Sequence, residues 1–287
     1  MPLITLFTID SKPGSDPINS RSRFLNYTFI LLILMQTNRT REKLIAGQAA
    51  FGTFMGLGSP NLAELLSQVG LDYLVIETEH NGLDSAEIEH MLMAIKGTET
   101  TPIVRIPSHD TVYIQRALDM GAMGIIVPLL KTATEAEAIV AASRYPPDGT
   151  RGWGPLRASQ YTLDNDDYIK RANDNILVAG LLETKEAVEN LDEITSVPGL
   201  DALFIGMWDL CFSMGLNPMD MPFPETDAVI ERALEIGKKN GVAIGMGSNT
   251  PEDLIRHKTQ GFTFLAYGPD YYLMINAINA GLEAFNQ

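Results

Sequence analysis

The sequence predicts an α/β chain folded as a (β/α)8 TIM barrel, a single domain with a short N-terminal extension. From about residue 48 onward, short apolar or β-branched runs alternate with amphipathic stretches, each pair taking roughly 25–40 residues, and eight such runs occur. Eight β/α pairs in one chain most simply close into a barrel. The competing doubly wound sheet would show a glycine-rich phosphate turn after its first strand. Here Gly56-Leu57-Gly58-Ser59-Pro60-Asn61 lacks the third glycine and contains a proline.

Residues 1–34 read as a peripheral extension. Residues 1–24 are rich in Ser, Pro and Asp without periodicity, and an apolar run of about nine residues follows from Tyr27 to Met35. A bilayer span needs roughly 20 apolar residues, and a secretory signal would begin with a basic region near residue 1. Met35 opens a polar, helix-like stretch from which the functional polypeptide could begin, so the barrel domain is assigned to 35–287. Its strands are expected at 51–57, 73–77, 103–106, 124–128, 176–183, 202–206, 242–245 and 262–266. Of the intervening helices, the first shows its signals plainly. Ser59-Pro60 starts it, Leu62, Leu65, Leu66 and Val69 give it an apolar face, and Gly70 stops it.

Composition narrows the partners. The chain of 287 residues carries 21 basic and 36 acidic side chains, a net charge of −15, and its one basic cluster is the short run Arg39-Thr40-Arg41-Glu42-Lys43. Nucleic acid and anionic membrane are therefore poor partners. A single cysteine, Cys211, rules out an internal disulfide framework and suits a reducing, cytoplasmic setting.

In a barrel, chemistry sits at the C-terminal ends of the strands. The polar residues there are Glu77, Glu79 and His80 after the second strand, Arg105 at the third, Lys131 after the fourth, Glu183 at the fifth and Asp209 after the sixth. Glu183 and Asp209 belong to successive β/α units and are thus expected side by side. Two adjacent carboxylates repel unless a cation or proton lies between them, and carboxylates with open positions suit Mg2+ or Mn2+. The duller reading is that each caps the helix after its strand. His80, with carboxylates one and three residues before it, is a candidate general base held in one tautomer. His90, His109 and His257 are expected at solvated positions. Arg105 offers a fork for a substrate carboxylate and a stabiliser for an oxyanion, with an exposed salt bridge as the alternative.

The runs Ile76-Glu77-Thr78-Glu79-His80, Val104-Arg105-Ile106-Pro107, Ala117-Leu118-Asp119-Met120-Gly121-Ala122, Arg144-Tyr145-Pro146-Pro147-Asp148-Gly149-Thr150-Arg151-Gly152, Leu182-Glu183-Thr184 and Phe204-Ile205-Gly206-Met207-Trp208-Asp209-Leu210 together resemble the HpcH/HpaI aldolases. These are metal-dependent class II aldolases of 4-hydroxy-2-oxo acids and 2-keto-3-deoxy sugar acids, and the resemblance spans about residues 40–280. It implies a divalent cation (Mg2+, Mn2+ or Co2+) on Glu183 and Asp209, His80 as base with Glu77 beside it, and Arg105 as substrate-binding arginine. It also implies a helix aspartate, Asp119, near the subunit contact and active site, and a pocket lined by backbone N–H groups around Gly152. The implied partners are a 2-oxo acid and an aldehyde, and the implied assembly is a homo-oligomer, hexameric or trimeric.

The chain departs from the family pattern in three places. Glu77 stands where the family carries Asp, Met207-Trp208 where relatives usually carry Pro-Ala, and Cys211 where serine is common. The residue before the metal aspartate usually offers its N–H to the substrate carboxylate, so Trp208, with Asp209, is a substrate-contact candidate whose indole could narrow the pocket. Three other readings stand beside the aldolase: oxaloacetate decarboxylation of the macrophomate-synthase kind, a Schiff-base aldolase on Lys131, and a catalytically silent, metabolite-binding barrel plugged by Trp208. The Lys131 reading conflicts with the helix-start character of Thr132-Ala133-Thr134-Glu135.

Overall fold

A computed structural model describes residues 35–286, so the expected extension, 1–34, lies outside the described residues. The eight strands are β1 (Ala50–Met55), β2 (Tyr73–Glu77), β3 (Thr101–Arg105), β4 (Gly124–Val127), β5 (Leu177–Leu182), β6 (Ala202–Ile205), β7 (Ala243–Ser248) and β8 (Phe264–Pro269). All neighbours pair in parallel, and β8 returns to β1, closing the barrel. The strand boundaries match the expected runs closely at β2 and β4. β7 and β8 each run three residues further, into Met246-Gly247-Ser248 and Tyr267-Gly268-Pro269. Glycines carry no side-chain signal of a strand, so those ends are silent in the sequence.

Strand side chains alternate between two cores. Tyr73, Val75, Ile103, Ile126, Leu177, Ala179, Phe204 and Phe264 fill the barrel interior, whereas Leu74, Ile76, Val104, Ile125, Val178 and Leu203 pack outward under the helices.

Local caps place the helices after their strands. In α2 (Pro60–Ser67) the Ser59 hydroxyl accepts from the Leu62 N–H, and the helix stops two residues short of Gly70, whose φ is +88°. Capping boxes open α3 (Ser85–Ile95) with Asp84 and Glu87, and α5 (Ala133–Ser143) with Thr132 and Glu135. α1 (Arg39–Ile45) precedes β1, α4 (Thr111–Asp119) links β3 to β4, and α6 (Asn165–Asn175) leads into β5. Two short helices, α7 (Lys185–Glu189) and α8 (Leu191–Thr195), join β5 to β6. α9 (Met207–Ser213) and α10 (Pro224–Asn240) join β6 to β7, and α11 (Pro251–Gln260) joins β7 to β8.

The last helix, α12 (Asp270–Phe285), follows β8 and differs from the rest. Met274, Ile275, Ile278, Leu282 and Phe285 recur at helical spacing, and all are exposed. No helix among the described residues is long and apolar enough to cross a membrane.

Candidate active site at the C-terminal mouth

Glu77 and Arg105 are register partners at the ends of β2 and β3, and Glu77 Oε2 is paired with Arg105 Nη2. The other oxygen of Glu77 accepts from the backbone N–H groups of Glu79 (2.7 Å) and His80 (3.1 Å). The Glu77 carboxylate thus serves Arg105 and its own turn, and does not orient the imidazole as the sequence suggests. The imidazole instead faces Glu79, with His80 Nε2 3.7 Å from Glu79 Oε2 and the side chain 62% exposed. Glu79 Oε2 also lies 3.3 Å from Arg105 Nε, so Glu79 bridges histidine and arginine. Its carboxyl is held above the usual range, by burial first.

Glu183 closes β5 and is 4% exposed. Its Oε1 accepts from the Leu129 N–H at 2.5 Å, and Leu129 presents that N–H from a left-handed backbone with φ of +51°. Such a conformation costs a residue with a Cβ about 1–2 kcal/mol, and strain of this kind concentrates at functional sites. Burial pushes the Glu183 carboxyl up to about 7; Glu79 and Asp209 add to the rise, and the Leu129 N–H and Arg105 oppose it. Gly206, just after β6, leaves room for this carboxylate, because a Cβ there would stand 2.8 Å from Glu183 Oε2. Asp209 is exposed in the first turn of α9.

This donor set fits a hard divalent cation. It is all carboxylate oxygen, and a buried carboxylate with Glu79 and Asp209 adding like charge beside it is one that a positive charge would stabilise. No group of three or more His, Cys, Asp or Glu is disposed to hold a metal among the described residues.

Two expected site residues are elsewhere. α4 runs back from the mouth, so its last residue, Asp119, lies near the start of β4 at the opposite pole. The segment 144–164, which carries Gly152, joins the end of α5 to α6 and lies at that pole too. There Arg151 is fully buried, bonded to Asp119 Oδ1 at 2.6 Å and stacked 4.5 Å from the Tyr145 ring centroid. Neither Asp119 nor Gly152 shares a mouth with Glu183 of its own chain.

Trp208 lines the mouth cavity of about 420 Å3 without filling it, together with Glu77, His80 and Arg105. The Lys131 N–H is engaged by Glu135 Oε2 at 2.7 Å, as its helix-start setting suggests. His257 corrects its expectation: it is buried between α11 and β7, with Nδ1 2.8 Å from the Ser248 hydroxyl oxygen. The signals for Leu129 and Gly206 lie in backbone geometry that no residue pattern announces.

The sequence profile of the HpcH/HpaI aldolase/citrate lyase family matches residues 50–277. The chain is 38% identical over 240 residues to a 2-dehydro-3,6-dideoxy-6-sulfogluconate aldolase of Pseudomonas putida, covering 82% of this chain and 92% of that protein. It is 35% identical over 260 residues to a 4-hydroxy-2-oxovalerate aldolase of Novosphingobium aromaticivorans, covering 88% and 97%. Among solved structures, an HpcH/HpaI aldolase/citrate lyase family protein of Burkholderia cenocepacia superposes with a TM-score of 0.83 at 29% identity, over 88% of this chain and all of that one. On this combined evidence of profile, sequence and fold, the chain belongs to the HpcH/HpaI aldolase/citrate lyase family.

Proposed function

We propose that this chain is a divalent-metal-dependent class II aldolase, a carbon–carbon lyase that cleaves a 4-hydroxy-2-oxo acid to pyruvate and an aldehyde. The observation that carries the reading is the buried Glu183 carboxylate beside Asp209, facing Glu79 and Arg105 at the strand ends of a chain whose relatives are aldolases. Glu183 and Asp209 would hold Mg2+, Mn2+ or Co2+, and a cation there supplies Lewis-acid stabilisation of charge on the 2-oxo oxygen.

The remaining chemistry falls to the side chains. His80, half out in solvent and facing Glu79, takes the 4-hydroxyl proton. The C3–C4 bond then breaks, its electron pair passes into the pyruvate enolate, and the 4-hydroxyl carbon leaves as the aldehyde. Arg105 offers N–H donors to the 2-oxo acid's oxygens, held in place by Glu77. The proton that His80 took from the 4-hydroxyl is then returned, through water, to C3 of the enolate, which completes the reaction and frees the base.

Asp119 and Gly152 fit this site only as contributions from a second copy. We therefore read the protein as a homo-oligomer, hexameric or trimeric, and the exposed apolar stripe of α12 supports that reading. A cytoplasmic, reducing setting is supported by the single, buried Cys211.

The test is pyruvate release from a panel of 4-hydroxy-2-oxo acids and oxaloacetate, with and without Mg2+, Mn2+ or Co2+, in the wild type and Glu183→Gln. Metal-dependent pyruvate that vanishes in the variant is expected. Turnover that survives both EDTA and the substitution overturns the metal reading, and turnover of oxaloacetate alone makes the protein a decarboxylase.

A further inference from the structure

Side chains join the ends of β1 and β8 where their backbone ladder stops. A register shift between Gly52 and Phe54 interrupts the pairing, and Phe54 with Pro269 is its last pair. There the buried Thr53 hydroxyl lies against the carbonyls of Tyr267 (3.0 Å) and Gly268 (2.6 Å). Asp270, the first residue of α12 and 3% exposed, makes the next tie. Its Oδ1 accepts from the Gly56 N–H at 2.9 Å, and its Oδ2 accepts from the Leu57 N–H at 3.1 Å. Oδ1 also accepts from the N–H of Tyr271 at 2.8 Å. An enclosed carboxylate is costly unless its oxygens are hydrogen-bonded, and two of the three groups that bond this one belong to the turn leaving β1.

That turn faces the candidate site. Gly56 and Tyr271 line the mouth cavity together with His80 and Asn81, and a Cβ added at Gly56 would stand 2.9 Å from Tyr271 Cε1. Asn81 carries the connection on to β2. Its Nδ2 donates to the Glu77 carbonyl at 2.5 Å and reaches the Gly56 carbonyl at 3.4 Å. His80 precedes Asn81 in the chain, and its N–H is 3.1 Å from Glu77 Oε1. The imidazole is held loosely, its ion-pair contact with Glu79 being 3.7 Å long, so the backbone of residues 77–81 sets where it stands. We propose that Asp270 is a positioning residue for His80, acting from the start of α12 through Gly56 and Asn81. The inference rests on the aldolase reading above, in which His80 takes the 4-hydroxyl proton.

Such a role has a chemical signature. Cleavage of a 4-hydroxy-2-oxo acid needs a base to take the 4-hydroxyl proton as the C3–C4 bond breaks. Loss of carbon dioxide from oxaloacetate breaks the corresponding bond and sends its electron pair into the same pyruvate enolate, but there is no hydroxyl proton to remove. Displacement of His80 therefore slows the first reaction and spares the second. Damage to the metal site or to Arg105 slows both, because both reactions place charge on the 2-oxo oxygen.

The experiment measures steady-state pyruvate release with saturating Mn2+ from a 4-hydroxy-2-oxo acid and from oxaloacetate, after subtraction of the enzyme-free rate. Wild type, Asp270→Asn, Asn81→Ala and the double variant are compared. Asp270→Asn keeps one acceptor oxygen and sets an amide N–H against the other backbone N–H. It is expected to lower kcat for cleavage by about tenfold to a hundredfold, with KM within about twofold and decarboxylation within about threefold of wild type, on the scale of a misplaced catalytic group. Asn81→Ala should show the same selectivity. The double variant should lose no more than the worse single one, because losses at independent sites multiply and losses along one chain of contacts do not. Equal losses in both reactions, cleavage unchanged in either variant, or losses that multiply in the double variant would overturn the proposal. If Asp270→Asn does not fold, Asn81→Ala decides by the ratio of its two rates. If oxaloacetate does not react, the split of kcat from KM and the double variant decide. A wild type that releases no pyruvate from any 4-hydroxy-2-oxo acid overturns the aldolase reading and this proposal with it, whereas wild-type cleavage with unselective variants overturns only the role of Asp270.

Discussion

Glu77 and Arg105 face each other from the ends of adjacent strands in direct register, and each is mostly enclosed by the barrel mouth. Removing the guanidinium leaves a buried carboxylate whose remaining partners are two N–H groups of its own turn. Arg105→Ala should therefore lower stability by about 3 kcal/mol, as for other enclosed ion pairs broken on one side, and abolish pyruvate release. Denaturant unfolding and steady-state kinetics check both; an unchanged unfolding midpoint would show that the pair contributes little.

Gly206 should be intolerant of even one methyl group, although its φ of −86° suits any residue. The added Cβ would press on Glu183 Oε2 and Cβ, at 2.8 and 2.9 Å. Gly206→Ala is expected to keep its far-UV circular dichroism while weakening Mn2+ binding by about tenfold, the scale seen when a ligand's support is disturbed. Calorimetric titration with Mn2+ measures this, and unchanged affinity would separate Glu183 from the metal.

His257 gives the fold a pH dependence of known sign. Burial first, and Arg256 second, lower its pKa below the ordinary 6.5, against a smaller pull from Asp253. A histidine lowered on folding binds its proton more readily in the unfolded chain, so stability is fully present above about 6.5 and falls as pH drops below that value toward the folded pKa. Thermal unfolding between pH 7.5 and 5.5 should show that fall, and His257→Gln should flatten it. A variant with the wild-type slope would assign the effect to other groups.

The exposed stripe of α12 should govern assembly. Ile278→Glu places a charge in the middle of Met274, Ile275, Leu282 and Phe285, and is expected to reduce the assembly to smaller species. Sedimentation velocity reads the outcome; an unaltered sedimentation coefficient would remove α12 from the interface.

The barrel was readable because its strands are apolar runs of regular spacing, and barrel geometry then sends Glu77, Arg105 and Glu183 to one mouth without further information. Sequence could not show how their side chains divide the available partners. Glu77 turned to Arg105 and left the imidazole to Glu79, a choice decided by register between β2 and β3. Asp119 and Gly152 carried motif signals of a site, but the direction of α4 and the placement of 144–164 put them at the far pole. His257 looked solvated beside Arg256 and Lys258, yet its position on α11 turns it onto β7, a matter of helix phase against the sheet. Leu129 had no signal, since an apolar residue with positive φ is the opposite of what a turn pattern suggests.

The pairing of β1 with β8 has a consequence for how the chain comes into being. Gly52 and Ala266 are register partners, so the barrel cannot close until nearly the whole polypeptide exists. At ordinary synthesis rates of 5–20 residues per second, β1 waits roughly 10–40 seconds for its last neighbour. Throughout that interval its backbone N–H and C=O groups form an open strand edge, the kind of surface that invites pairing with other chains. The molecule that ends with no sheet edge at all must pass through a nascent state that has one.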